Sequence, residues 1–266
     1  MMVDDSVADI VQNSAFERFA RFGYVVSGLL HIAIGYLAIR VAQGGRGAVD
    51  QSGALAEVAA HRGGSVALWI AAFGFLAMAL WRLAETALGR STDPKSQRTL
   101  LEISDRAKAF GLAAIYAALA YSTFGFARGS GESASQQNST LSARLMATGT
   151  GTVVVVLTGV VIVAVGAYHI YMGASRTFLN DLTNTSALVS HLGAVGYVTK
   201  GLAILGTGAV IVVAATRAEP YKVTGLDGAL KTLAAQPFGP TLVIAAALGI
   251  IIYGLFSFAM ARYTKM

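Results

Sequence analysis

Six stretches of this chain, residues 22–42, 65–88, 107–127, 150–174, 193–216 and 240–261, are almost continuously apolar. Residues 153–156 are four consecutive valines, and residues 244–252 contain nothing polar, so neither keeps the polar face of a soluble bundle helix. A hydrocarbon layer about 30 Å thick takes about 20 apolar residues at a rise of about 1.5 Å each, and all six stretches meet that length. The pattern therefore predicts an all-α, polytopic membrane protein with six transmembrane helices. Ahead of the first, Asp4, Asp5, Asp9 and Glu17 stand where a removable signal would be basic. Phe16, Phe19 and Phe22, interleaved with Arg18 and Arg21, predict a short amphipathic helix lying in the interface.

The polar connections alternate between long and short, which prompts a search for internal repeats. Gly23-Tyr24-Val25-Val26-Ser27-Gly28-Leu29 matches Gly196-Tyr197-Val198-Thr199-Lys200-Gly201-Leu202, and the middle copy aligns more weakly at Phe110-Gly111-Leu112. Gly23, Gly111 and Gly196 are 88 and 85 residues apart, and the aromatics Trp81, Tyr168 and Tyr253 repeat at 87 and 85. In the long connections, Ser52-Gly53-Ala54-Leu55 parallels Asp227-Gly228-Ala229-Leu230, the middle copy keeps Leu145-Met146-Ala147, and Gly64, Gly151 and Gly239 precede the next span. Each long connection is expected to hold a short helix, with Ser52 or Asp227 as N-cap. The expected organisation is one membrane domain, 1–266, with repeat units 16–92, 103–178 and 189–263. A two-span unit returns the chain to its starting side, so three parallel copies imply pseudo-threefold symmetry along the membrane normal.

Composition agrees with the pattern. Of 266 residues 55% are hydrophobic and 13% charged, against about a quarter charged in soluble domains, and the mean hydropathy of +0.61 excludes a soluble enzyme. With no cysteine there is no disulfide, thiolate nucleophile or Cys-ligated metal. Ten Lys and Arg fall on the side holding both termini and seven on the other, with Arg40, Arg82 and Lys200 inside spans. That bias predicts cytoplasmic termini in a cell inner (plasma) membrane, and the net charge of +6 reads as topology and anionic-lipid contact rather than nucleic-acid binding.

On these residues the chain resembles a bacterial family of integral membrane proteins of unknown function built from three tandem two-helix units. The resemblance runs from Phe19 to Tyr263 and is most specific over residues 226–239, which end in Gln236-Pro237-Phe238-Gly239 and are followed by Tyr253-Gly254-Leu255. The second copy lacks the Gln-Pro-Phe-Gly element. The resemblance implies architecture and no catalytic residue.

Ionisable groups inside spans cost about 2.5–3.5 kcal/mol on insertion scales, which makes them the candidates for function. His31, Arg82, Glu85, His169 and Lys200 form a candidate central polar site. Arg82 and Glu85 are three apart on one helix face, where they either pair internally or line a cavity mouth. Arg40, Arg128 and Arg217 form a candidate outer rim, either for anionic headgroups or as ordinary span-end arginines. Trp81, Tyr168 and Tyr253 read as a constriction or as interface anchors. Ala109, Ala113 and Ala117, and Ala245 with Gly249, read as close packing. No P-loop, G-x-S-x-G or H-E-x-x-H is present.

No enzyme activity and no cofactor are expected, b-type haem on His31 with His169 being the alternative weighed. Two functions fit. One is a non-enzymatic structural or accessory component whose partners are lipids, another membrane protein or further copies of itself. The other is a transporter or small-molecule or lipid binder with a pocket on the pseudo-threefold axis.

Overall fold

The computed structural model describes residues 14–88, 99–183 and 185–265. Asp4, Asp5, Asp9, Arg90, Lys95 and Arg98 lie outside them. Six long helices run over Ser14–Ala42 (α1), Gly64–Leu88 (α3), Thr99–Ala127 (α4), Gly149–Ser175 (α6), Ala187–Thr216 (α7) and Gly239–Tyr263 (α9). Three short helices occupy the long connections: Gln51–Ala60 (α2), Ala134–Met146 (α5) and Leu226–Ala234 (α8). All six long helices are apolar and long enough to cross a membrane, so this is a multi-pass membrane protein.

The first helix of each pair begins earlier than the apolar run predicts. α4 starts at Thr99 and α7 at Ala187, because polar residues at a helix end do not interrupt backbone bonding. For the same reason Phe16, Phe19 and Phe22 belong to the first long helix and not to a separate interfacial one: Ser14 to Ala42 is one helix. Hydroxyls inside the apolar helices turn back on their own backbone. Thr123 donates to Leu119 O (2.7 Å), Thr207 to Ala203 O (2.8 Å) and Ser257 to Tyr253 O (3.0 Å), which satisfies them where no water is at hand.

Two compact units divide the chain, and they do not follow the repeat boundaries. The first takes the start of α1 up to Val26 and residues 58–131; the second takes residues 27–57 and 132–265. In the first, α3 and α4 form an antiparallel hairpin. Ser65 donates to Ala127 O (2.8 Å), Trp69 meets Phe124 edge-on at 5.0 Å, and Phe75 stacks on Tyr116 at 6.3 Å, each step up α3 matching a step down α4. Leu68, Phe75 and Met78 are fully buried there.

In the second unit glycines replace side chains at the helix contacts. A methyl group built on Gly166 would stand 2.5 Å from Leu205 N, and one on Gly201 would stand 2.7 Å from Gly166 O. Gly159 and Gly208 oppose each other in the same way, and Gly173 opposes Ala194. The three glycines on α6 are seven apart, two helical turns, so one seam of α6 lies backbone to backbone against α7. Gly28 and Gly254 repeat the arrangement between α1 and α9, each 2.8 Å from where the other's methyl would be, with Gly35 against Ala247 one heptad on.

The glycines closing the long connections have one shared reason. A Cβ at Gly64, Gly151 or Gly239 would collide with the carbonyl of Val58, Leu145 or Ala234, at the end of the preceding short helix. Of the small residues expected to pack closely, Ala109, Ala113 and Gly249 are buried, whereas Ala117 and Ala245 are exposed. Gly249 receives Thr199 of α7.

Candidate functional site

The candidate central residues fall into two groups, one in each unit. In the first unit Arg82 donates to Glu85 at 2.5 Å and to the Tyr24 hydroxyl at 3.1 Å. Both charged side chains are only 15% exposed, so the pair stands on mutual neutralisation within one helix face.

His31, His169 and Lys200 belong to the second unit and gather about two tyrosines. The His31 ring lies 4.9 Å from Tyr253, the His169 ring 5.9 Å from Tyr197, and the two tyrosines meet edge to face at 5.5 Å. Phe178 stacks on Tyr197 and meets Phe256 edge-on, both at 5.2 Å. Nδ1 of His31 lies 2.7 Å from Ser27 O, and Nδ1 of His169 lies 2.8 Å from Val165 O. A carbonyl only accepts, so Nδ1 carries the proton in both rings and Nε2 is the atom that faces outward from the helix backbone. Lys200 donates to the Tyr253 hydroxyl at 2.9 Å while its Nζ lies 4.1 Å from the centre of the same ring, so the ammonium meets both the hydroxyl and the π face.

The repeated aromatics do not share a role. Tyr253 is buried and central to this cluster, whereas Tyr168, 47% exposed, faces outward. Among the described residues no three His, Asp or Glu side chains gather as a metal site.

Two of the three rim arginines are held locally through their side chains. Arg40 pairs with Glu57 at 3.5 Å and covers the Tyr36 ring at 5.8 Å. Arg128 covers Phe124 at 5.3 Å. Arg217 ends α7, its backbone N–H bonding to Val213 O. Just beyond it, a hydrogen bond from Lys222 to Glu219 holds that carboxylate below its ordinary range and the lysine above its own.

The long connections carry a network that sequence reasoning missed. Asp50, rather than Ser52, caps α2: its Oδ1 accepts from Gly53 N (3.0 Å) and from the Ser52 hydroxyl (2.6 Å). Asp227 is not a cap either. It sits inside the first turn of α8 after Gly225, and its Oδ1 accepts from Val49 N at 2.8 Å. Ser135, at the start of α5, lies 2.9 Å from Asp50 Oδ2 and 3.3 Å from Asp227 Oδ2, and Ala134 N donates to the Ser52 hydroxyl at 3.0 Å. Lys231 neutralises Asp227 one turn along at 2.9 Å. Two buried carboxylates thereby tie the starts of all three short helices together. Asp50 was legible as an acid just ahead of a helical run; Ser135 carried no signal.

Comparison with known proteins places this geometry in a family. One relative is an uncharacterized protein, YxxB, from Bacillus subtilis strain 168, 27% identical over 256 residues, covering 94% of this chain and 92% of that protein. No solved structure matches the chain. A model of a domain of unknown function, DUF1206, matches three times in tandem, at residues 22–89, 107–176 and 195–264. Each match holds one long helix, one short helix and a second long helix, and on that threefold match the chain belongs to the DUF1206 family of membrane proteins.

Proposed function

We propose that the chain is a non-enzymatic component of its membrane that acts by association, with lipids and with other membrane subunits or further copies of itself. The observation that carries this reading is that Arg82, Glu85, His31 and His169 are engaged inside the protein. Arg82 is taken up by Glu85 and Tyr24, and both histidines bond to the carbonyl one turn back on their own helices. The reading invokes no catalytic step and no cofactor. The membrane is the bacterial plasma membrane and both termini are cytoplasmic, on the strength of the Lys and Arg bias.

Native mass spectrometry of the protein extracted gently from its own membrane tests this. A complex with lipids, a protein partner or further copies at a fixed ratio is the expected result. A bare monomer that turns over a solute when placed in liposomes overturns it. A second reading, a lipid or small-molecule binder, is favoured by one observation: Lys200 is a cation within a span that no carboxylate among the described residues pairs with.

A further inference from the structure

Lys200 lies near the midpoint of α7, a 30-residue apolar helix, about 20 Å of helical rise from its start. A cation at that position is costly in lipid unless something compensates it. The neighbouring long helices offer no carboxylate: α6, α7, α9 and the 27–42 half of α1 contain neither Asp nor Glu. The groups around it are the Tyr253 hydroxyl and ring and, through the two tyrosines, the imidazoles of His31 and His169. An ammonium has three donors. One goes to Tyr253, and among the described residues no acceptor takes the other two. Tyr197, Phe178 and Phe256 complete an aromatic wall beside it. A hydrogen-bond donor cluster with excess positive charge and an apolar wall is complementary to an acid group carried on an apolar body.

We propose that Lys200, backed by the Tyr253 hydroxyl, binds the anionic oxygens of a carboxylate or phosphate headgroup within the membrane. The acid accepts the two remaining N–H donors and supplies the negative charge that this unit's spans lack. The outward Nε2 atoms of His31 and His169 suit an acid that keeps a hydroxyl or an ionisable proton. The proposal deepens the binder reading and is independent of whether the chain has a protein partner.

The test uses the full chain, purified gently and then stripped of lipid, in native mass spectrometry with four added probes: oleate, phosphatidylglycerol, acetate and inorganic phosphate. Wild type and Lys200→Arg are expected to hold one acid each, and Lys200→Met to lose at least tenfold in occupancy. Lys222→Met, on an exposed lysine far along the chain, is expected to keep it. Tyr253→Phe keeps the ring and removes only the hydroxyl, so a several-fold weakening there reports the site should Lys200→Met fold poorly. Retention of oleate or phosphatidylglycerol assigns the acid to the lipid phase, and equal competition by acetate or phosphate assigns it to the aqueous phase. Equal binding to wild type, Lys200→Met and Tyr253→Phe, or no acid on wild type, overturns the proposal. Protein subunits co-extracted before stripping appear in the same spectra, so loss of the acid and loss of a partner are read separately.

Discussion

Gly166 and Gly206 differ by what surrounds them, although both sit in apolar helices. Leu205 N would stand 2.5 Å from a methyl on Gly166, whereas nothing lies within 4 Å of one on Gly206. Gly166→Ala is therefore expected to lower stability by about 1–3 kcal/mol, the usual range for overpacking, and Gly206→Ala to raise it by about 0.5–1 kcal/mol through helix propensity. Thermal unfolding in one detergent distinguishes them, and equal behaviour would remove the seam argument. The same logic of partners applies to Arg82 and Glu85. Arg82→Gln or Glu85→Gln alone breaks a largely buried ion pair and is expected to cost up to about 3–5 kcal/mol. Replacing both with apolar residues of similar size is expected to cost much less than the two single changes combined. At this scale the sequence showed which residues are polar within spans, and Arg82 with Glu85 was visible as a three-residue spacing. That Lys200 meets Tyr253 was not visible, because the two are 53 positions apart and depend on how α7 meets α9.

Among elements, α7 lies on α9 within the third repeat, and the pairings of long helices between repeats follow one rule carried out with different residues. The first long helix of a repeat lies against the second long helix of another: α7 on α6, α1 on α9, α4 on α3. Two of these contacts use opposed glycines. In the third, the positions 88 residues after Gly28 and Gly35 are Tyr116 and Thr123, and Tyr116 stacks on Phe75. An aromatic contact has replaced a backbone contact, which is the physical reason that the middle copy aligns so weakly. The six long helices were legible because hydropathy alone marks them. Their true starts were not, since helix continues into polar sequence, and close packing rests on the heptad of Gly159, Gly166 and Gly173 more than on alanines four apart. The short helices make a separate prediction. Asp227→Ala strands Val49 N–H and unpairs Lys231, at a cost of about 1–3 kcal/mol. Asp50→Ala removes a cap of comparable worth. Because Ser135 bridges both carboxylates, the double variant is expected to cost less than the two single variants together by at least about 0.5 kcal/mol, as coupled neighbours do. Strict additivity in a double-mutant cycle would show that the three helix starts are independent.

For the whole molecule, six crossings and three tandem family matches leave one binary question, which side of the membrane the repeats start from. Each repeat crosses twice, so every copy begins on the same side and the short helices α2, α5 and α8 all lie on the other. The Lys and Arg count favours cytoplasmic repeat starts by ten to seven, a margin that three reversed charges would cancel. Much of it sits in Arg90, Lys95, Arg98 and Arg106 between the second and third spans, with Lys108 at the start of the third, where short-loop charge acts most strongly on orientation. A fluorescent protein fused after Met266 is therefore expected to fold and fluoresce, and alkaline phosphatase inserted at residues 44–47, ahead of α2, to be active. Neutralising Arg90, Lys95 and Arg98 together is expected to produce a mixed population in which both reporters give partial signal. A phosphatase that is active after Met266 and silent at 44–47 would invert the topology. It would place the buried Asp50, Ser135 and Asp227 network in the cytoplasm.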